Sequence, residues 1–249
     1  MFTIKTLFKR LRTLLLLPLL ALTAVFAQAE NLTEDDVNQL VREYILQNPE
    51  IVMEAIGILQ EREQAAQQAT QNQLLASVGD QLVNSANDPI GGNPDGTITL
   101  VEFFDYNCGY CKRASDTVKA LTEANPNLRV VYKEWPILSE TSVTAARVSL
   151  AISALYPEQY QAFHNAILAR PSSLRQDSEV WQVVGDLGLE RAEIEAETQS
   201  GWVQQTLASN QQLAQQLNIT GTPTFIVGTD ILRGAYPQAD IQAAIDANL

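Results

Sequence analysis

Apolar positions recur three and four apart near the start of the chain: Leu32, Val37, Leu40, Val41, Tyr44 and Ile45, then Ile51, Val52, Ala55, Ile56 and Leu59. That spacing predicts two helices. Thr33 ahead of Glu34-Asp35-Asp36 reads as the N-cap of the first, and Asn48-Pro49 interrupts the pattern between them. From Gln60 to Gln73 the chain is rich in Gln, Ala and Glu. It favours a helix there but offers little apolar face, so the segment needs a partner to be stable. Residues 84–96 concentrate Asn, Asp, Pro and Gly and read as a linker, with Ile90 a candidate edge strand.

The pattern then changes period. Ile98, Leu100, Glu102 and Phe104 fall on one face of a predicted strand over Thr97–Asp105, and Val101 and Phe103 on the other. Apolar residues on both faces predict a central strand covered on both sides. Residues 109–124 read as a helix with a stripe of Tyr110, Ala114, Val118 and Leu121, ended by Asn125-Pro126-Asn127. Leu128 to Trp135 reads as a second strand closed by Pro136. Residues 139–217 read as helical throughout, with breaks or boundaries at Ser139, Pro157, Pro171, Gly185 and Gly188. Thr224–Val227 and Ile231–Arg233 read as a hairpin about Gly228-Thr229-Asp230, and Pro237 opens a last helix. The order predicts an α/β fold. A strand–helix–strand unit with a parallel pair and a later antiparallel hairpin make a mixed sheet, with a helical block inserted midway.

The amino terminus carries a different signal. Lys5, Lys9, Arg10 and Arg12 precede an apolar run from Leu14 to Phe26, and Ala27-Gln28-Ala29 supplies small residues at a cleavage site. This is the pattern of a secretory signal peptide over residues 1–29, cut near Ala29. Four domains or segments are expected: the signal (1–29), a helical segment (30–83) that self-associates through 32–59, a linker (84–96), and a main domain (97–249) with a helical insertion at about 139–217. The whole chain carries a formal charge of −13, and loss of the basic signal makes it more acidic. Such a chain repels nucleic acid, so no nucleic-acid partner is expected.

Export places the two cysteines, Cys108 and Cys111, in an oxidising compartment. They form a single C-x-x-C at the junction of strand and helix. Cys108 stands at the helix N-terminus, where unpaired N–H groups and the helix dipole stabilise a thiolate. The thiolate is the nucleophile of thiol–disulfide exchange. Cys111 lies one turn further in, placed to resolve a mixed disulfide, and Gly109 lets the backbone turn tightly between them. A zinc site needs a second pair of ligands, and the chain has no further cysteine and one histidine, His164. No metal site or cofactor is expected beyond the redox-active disulfide Cys108–Cys111, although two thiolates also suit copper(I). Glu102 shares its strand face with apolar residues and lies six residues before Cys108. A buried carboxyl has a raised pKa and can take and return the proton of a resolving thiol. The alternative is a structural pair with Lys133. His164 reads as an ordinary helix residue.

Val101-Glu102-Phe103-Phe104-Asp105-Tyr106-Asn107-Cys108-Gly109-Tyr110-Cys111-Lys112 resembles the active-site region of the DsbA-like thioredoxin superfamily, and Gly221-Thr222-Pro223-Thr224-Phe225 resembles its cis-proline loop. The resemblance covers about residues 88–249. It implies a thioredoxin-like fold with an inserted helical subdomain, Cys108 as attacking thiolate, Cys111 as resolving thiol and Glu102 as buried acid. It also implies that Pro223 is cis beside the disulfide and that Thr222 hydrogen-bonds an extended substrate, with Gly109 and Tyr110 on the substrate side. Leu40 to Glu50 and Ile51 to Glu61 resemble the oligomerisation domain of the suppressor of copper sensitivity protein C group. That implies a periplasmic homo-oligomer acting on cysteine-containing exported proteins as an isomerase or reductase, kept reduced by a membrane reductase. The alternatives are a dithiol oxidase recharged by a quinone-linked partner, or a copper(I)-binding protein. Oxidase members carry Pro-His between the cysteines and this chain carries Gly-Tyr, which argues against a very low Cys108 pKa.

Overall fold

The structure, a computed structural model, describes residues 32–248. The predicted signal peptide and its cleavage near Ala29 lie outside the described residues. Two compact units divide between Ala65 and Ala66.

The first unit holds helix α1 (Glu34–Gln47) and the start of α2 (Glu50–Val83). Thr33 caps α1 as the sequence predicts. Its Oγ1 accepts the Asp36 N–H while the Asp36 carboxylate takes the Thr33 N–H at 2.9 Å, a reciprocal cap that satisfies two otherwise free donors. Asn48 ends the helix. No residue of α1 is buried. Leu40, Val41, Tyr44, Val52, Ile56 and Leu59 are all exposed.

In the second unit a five-stranded sheet runs in the order β1-β3-β2-β4-β5. The strands are β1 (Ile90–Gly92), β2 (Ile98–Phe104), β3 (Leu128–Glu134), β4 (Thr224–Val227) and β5 (Asp230–Arg233). β2 pairs parallel with β3 and antiparallel with β4, and β1 and β5 add antiparallel edges. The mixed sheet and the central place of β2 agree with the sequence pattern. The stretch 84–96 does more than link, because it supplies β1 and the buried Asp88.

The alternation along β2 sorts the core into two. Ile98, Leu100 and Phe104 face one cluster, which includes Leu128, Val130 and Tyr132 of β3 and side chains of α3 (Gly109–Ala124). Val101 and Phe103 face a second cluster with Leu75, Val78 and Leu82 of α2, and Leu213 of α8 (Gly201–Gln216). Between β3 and β4 lie α4 (Glu140–Leu155), α5 (Pro157–Leu168), α6 (Asp177–Asp186), α7 (Arg191–Glu197) and α8, and α9 (Gln238–Asp246) closes the chain.

Candidate functional site

β2 and α3 meet at Asp105-Tyr106-Asn107-Cys108. The Asp105 carboxylate holds this turn from three sides, accepting the N–H of Asn107 (2.7 Å), Ile137 (2.8 Å) and Leu138 (2.9 Å). The Asn107 amide donates to Ser139 Oγ (2.6 Å) and Thr141 Oγ1 (2.9 Å), and its oxygen accepts the Leu174 N–H (2.7 Å). Two short polar side chains thus tie the turn to the β3–α4 loop and to the segment after α5. Sequence reasoning assigned neither a role, although two buried polar residues beside a C-x-x-C are a usable signal.

Cys108 is the N-cap of α3, and the Cys111 N–H points at its sulfur at 3.4 Å. Its Sγ also lies 3.2 Å from the carbonyl oxygen of Thr222, which precedes a cis peptide bond to Pro223. Both cysteines are free thiols. The Cys111 thiol, donating to the Cys108 sulfur, does most to favour the Cys108 thiolate. Partial burial opposes it, and contacts from Thr222 and the backbone N–H groups of Cys111 and Tyr110 add to it, leaving the Cys108 pKa lowered to about 5. Helix position and local donors therefore depress it without a histidine, further than the Gly-Tyr dipeptide suggested.

Cys111 is fully buried. Burial pushes its thiol far up, and the bond to Cys108 and the charge of Glu102 push the same way. Glu102 is 2% exposed. Burial, and then the nearby Cys108 charge, raise its pKa to about 8. Lys133 does not pair with it. Lys133 is opposite Phe103, while Glu102 is opposite Tyr132, so the lysine emerges on the other face of the sheet and pairs with buried Asp88. A cavity of 200 Å³ lined by Glu102, Tyr132, Lys119 and Gln161 reaches the carboxyl from the α3–α5 side.

The structure brings Cys108, Cys111, Glu102, Thr222 and Pro223 to one place. Tyr110 departs from the predicted apolar stripe of α3. It is 59% exposed beside Cys108, with the Arg113 guanidinium 4.3 Å over its ring, and Cys111 takes the inward position instead. His164 is buried among Phe104, Tyr106 and Tyr132, with Nδ1 3.2 Å from the Tyr106 hydroxyl, and burial lowers its pKa to about 3. It is a neutral core residue behind the turn. Among the described residues no cluster of three His, Cys, Asp or Glu side chains could hold a metal ion.

Comparison with known proteins adds family relationships. A family model for a DSBA-like thioredoxin domain matches residues 99–246, and one for the copper resistance protein ScsC N-terminal domain matches residues 34–66. The thiol:disulfide interchange protein DsbA of Bordetella pertussis is 27% identical over 170 residues, covering 68% of this chain and 78% of that protein. The chain spans 25% of the length of another curated relative, the Na(+)/H(+) antiporter NhaA 1 of Salinispora arenicola, at 26% identity over 66% of the chain. Among the described residues no helix is long and apolar enough to cross a membrane. Among solved structures, a thioredoxin-like oxidoreductase from Silicibacter pomeroyi is 39% identical with a TM-score of 0.64, covering 68% of this chain and 95% of that one. ScsC of Proteus mirabilis, in a transitional conformation, is 29% identical with a TM-score of 0.66, covering 86% and 96%.

Proposed function

The chain belongs to the DSBA-like thioredoxin domain family, and on that premise we propose that it is an exported thiol–disulfide oxidoreductase that isomerises or reduces disulfides in other exported proteins. The observation that carries this reading is the asymmetry of the two thiols. Cys108 is a stabilised thiolate beside Thr222, and Cys111 is buried and holds its proton.

The Cys108 thiolate attacks one sulfur of a substrate disulfide. A Cys108–substrate bond forms, the substrate S–S bond breaks, and a substrate thiolate leaves. If that thiolate attacks another disulfide of its own chain, the substrate is rearranged, and a later intramolecular attack returns Cys108 with no net redox change. If it does not, Cys111 gives its proton to the Glu102 carboxylate and attacks the Cys108 sulfur. The substrate leaves reduced, and a Cys108–Cys111 disulfide remains for a membrane reductase to reopen. Glu102, with a pKa of about 8, is matched to a proton exchanged near neutrality. Thr222 and Pro223 border the sulfur under attack, and the exposed Gly109 and Tyr110 meet the substrate.

The direction of exchange draws support from the first unit. The ScsC N-terminal match covers residues 34–66, and the exposed apolar side chains of α1 and early α2 suit a homo-oligomer that sets several catalytic domains around one substrate. The depressed Cys108 pKa favours a second reading, a dithiol oxidase, because a stable thiolate makes the disulfide form more oxidising.

Refolding of scrambled ribonuclease separates the two. The parent chain restores activity, and Leu40→Glu with Tyr44→Glu, which charges the exposed face of α1, loses that activity while still reducing insulin. If neither chain unscrambles the substrate and both rapidly oxidise reduced ribonuclease, the isomerase reading fails and the oxidase reading stands.

A further inference from the structure

Asp105 follows β2 directly and precedes Cys108 by three residues. It is buried, and none of the ion pairs among the described residues includes it. Backbone N–H groups take the place of a cation. Oδ1 accepts the Asn107 N–H, and Oδ2 accepts those of Ile137 and Leu138. The first bond is the local turn a short acid makes with its own chain. The other two reach residues 32 and 33 positions away in the chain. A buried carboxylate bonded on both oxygens is fixed in orientation.

The backbone of the same residue meets both cysteines. Its carbonyl oxygen accepts the Cys108 N–H at 3.0 Å. Its own N–H lies one residue past the last register pair of β2, Phe104 with Glu134, and has no carbonyl acceptor among the described residues. Burial, the Cys108 sulfur and the Glu102 charge all act against a thiolate on Cys111, and the Asp105 N–H, aimed at that sulfur, acts for it. Cys111 is closed to water. A charge created there needs a donor already in place, because solvent cannot reorganise around it.

We propose that Asp105 is the positioning residue of the resolving step: its carboxylate, fixed by Asn107, Ile137 and Leu138, holds the Asp105 peptide so that its N–H receives the charge forming on Cys111. The proposal deepens the reading of the chain as an exchange enzyme and rests on it. In the mixed disulfide Cys111 passes its proton to the Glu102 carboxylate, and the Asp105 N–H holds the resulting thiolate as it attacks Cys108. The Cys108–Cys111 bond forms, the Cys108–substrate bond breaks, and the electron pair leaves on the substrate thiolate. The two cysteines are oxidised and the substrate sulfur is reduced. The Cys108 thiolate is stabilised by other groups, namely the Cys111 thiol, Thr222 and the N–H groups of Cys111 and Tyr110. Asp105 therefore acts on the second step and not on the first.

The test mixes the reduced full chain with an equimolar amount of the chromogenic disulfide dithiobis(nitrobenzoate) in stopped flow. Attack by Cys108 releases one coloured thiolate and resolution by Cys111 releases the second, so the two steps appear as two phases. One variant is Asp105→Asn, which keeps a single acceptor oxygen. The other keeps the aspartate side chain and replaces the Phe104–Asp105 amide by an ester, made by cell-free synthesis with the hydroxy-acid analogue, so that the N–H is deleted and the carboxylate stays. The ester slows the second phase by at least about tenfold, the low side of what loss of one preorganised donor costs, and leaves the first at the parent rate. Asp105→Asn slows the second phase by a smaller factor, because its peptide is loosened but keeps the N–H. A second phase at the parent rate in the ester chain overturns the proposal, whatever Asp105→Asn does. Equal slowing of both phases in both chains also overturns it, and makes Asp105 a structural tie of the turn. The exchange reading fails separately, on a parent chain that shows both phases and yet neither rearranges, reduces nor oxidises a protein disulfide.

Discussion

The Cys108 sulfur lies 3.2 Å from the carbonyl oxygen of Thr222, a residue 114 positions away in the chain. As a thiol, Cys108 donates to that oxygen. As a thiolate it turns to donors, which are the Cys111 thiol, the Thr222 side chain and the backbone N–H groups of Cys111 and Tyr110. One sulfur is thus placed between an acceptor that suits its protonated form and donors that suit its ionised form.

The strongest of those donors sets a first prediction. In the parent chain, alkylation of Cys108 by iodoacetamide reaches half its limiting rate near pH 5. Cys111→Ala removes the thiol donor and moves the midpoint upward by roughly one unit or more. Cys111→Ser keeps a hydroxyl donor and moves it less. A midpoint unmoved in Cys111→Ala would show that the Cys111 thiol does not stabilise the Cys108 thiolate. The same shift has a stability consequence. The folded value is below the unfolded one of about 8.5, so this group stabilises the reduced fold fully above that pH. The contribution is lost as pH falls through about 5.

Glu102 runs the other way. Its folded pKa is raised to about 8, whereas an unfolded glutamate titrates near about 4.3. The stability linked to its bound proton is complete below the lower value and is lost as pH rises through the higher one. Glu102→Gln and the parent therefore show the same pH trend at pH 4. At pH 8.5 the variant has gained on the parent by at most about 5 kcal/mol, read by urea denaturation at the two pH values. Release of the mixed disulfide by Cys111 slows by about a hundredfold, followed in stopped flow. A variant that releases substrate at the parent rate removes Glu102 from the proton transfer.

Much of this arrangement was legible because it depends on local pattern. The two faces of β2 follow from alternation, and the cap of α1 from Thr33 and its acids. The C-x-x-C turn follows from a strand running into a helix. What was not legible depends on distant chain segments. Tyr110 fits an apolar stripe by spacing, yet Cys111 takes the buried position and Tyr110 is left at the surface. Lys133 was a plausible partner for Glu102 until register placed them on opposite faces of the sheet. Asp88 sits in a stretch whose composition reads as linker, and only the fold shows it buried against Lys133. The depressed Cys108 pKa owes most to Cys111, but it also draws on Thr222, brought from the far side of the helical insertion.

Asn107 makes a further case for contacts that spacing cannot reveal. Its amide bridges Ser139, Thr141 and Leu174. Asn107→Ala leaves the Leu174 N–H without its side-chain acceptor and costs about 1–3 kcal/mol, measured by chemical denaturation. The β3–α4 loop and the segment after α5 also exchange amide hydrogens faster in the variant. Unchanged protection in both segments would mean that Asp105 alone holds the turn.

The buried pair of Lys133 and Asp88 joins the sheet to the segment that follows α2. Lys133 Nζ also donates to the Gln81 carbonyl at 2.6 Å, and Asn210 Nδ2 approaches Asp88 at 3.4 Å. Side chains this buried have no water to compensate a lost partner, so Asp88→Ala strands a cation and destabilises the fold by about 3–5 kcal/mol. Replacing both, as Asp88→Leu with Lys133→Met, removes the charge and its desolvation cost together. The double variant recovers most of the loss, as the urea midpoints of the three chains would show. If the double variant is no more stable than Asp88→Ala, then the bonds to Gln81 and Asn210, not the charge pair, hold this segment to the sheet. Either result bears on how the first unit is removed experimentally. A cut after residue 88 deletes Asp88 together with Leu75, Val78 and Leu82 of the second cluster, whereas a cut after Ala65 spares all four.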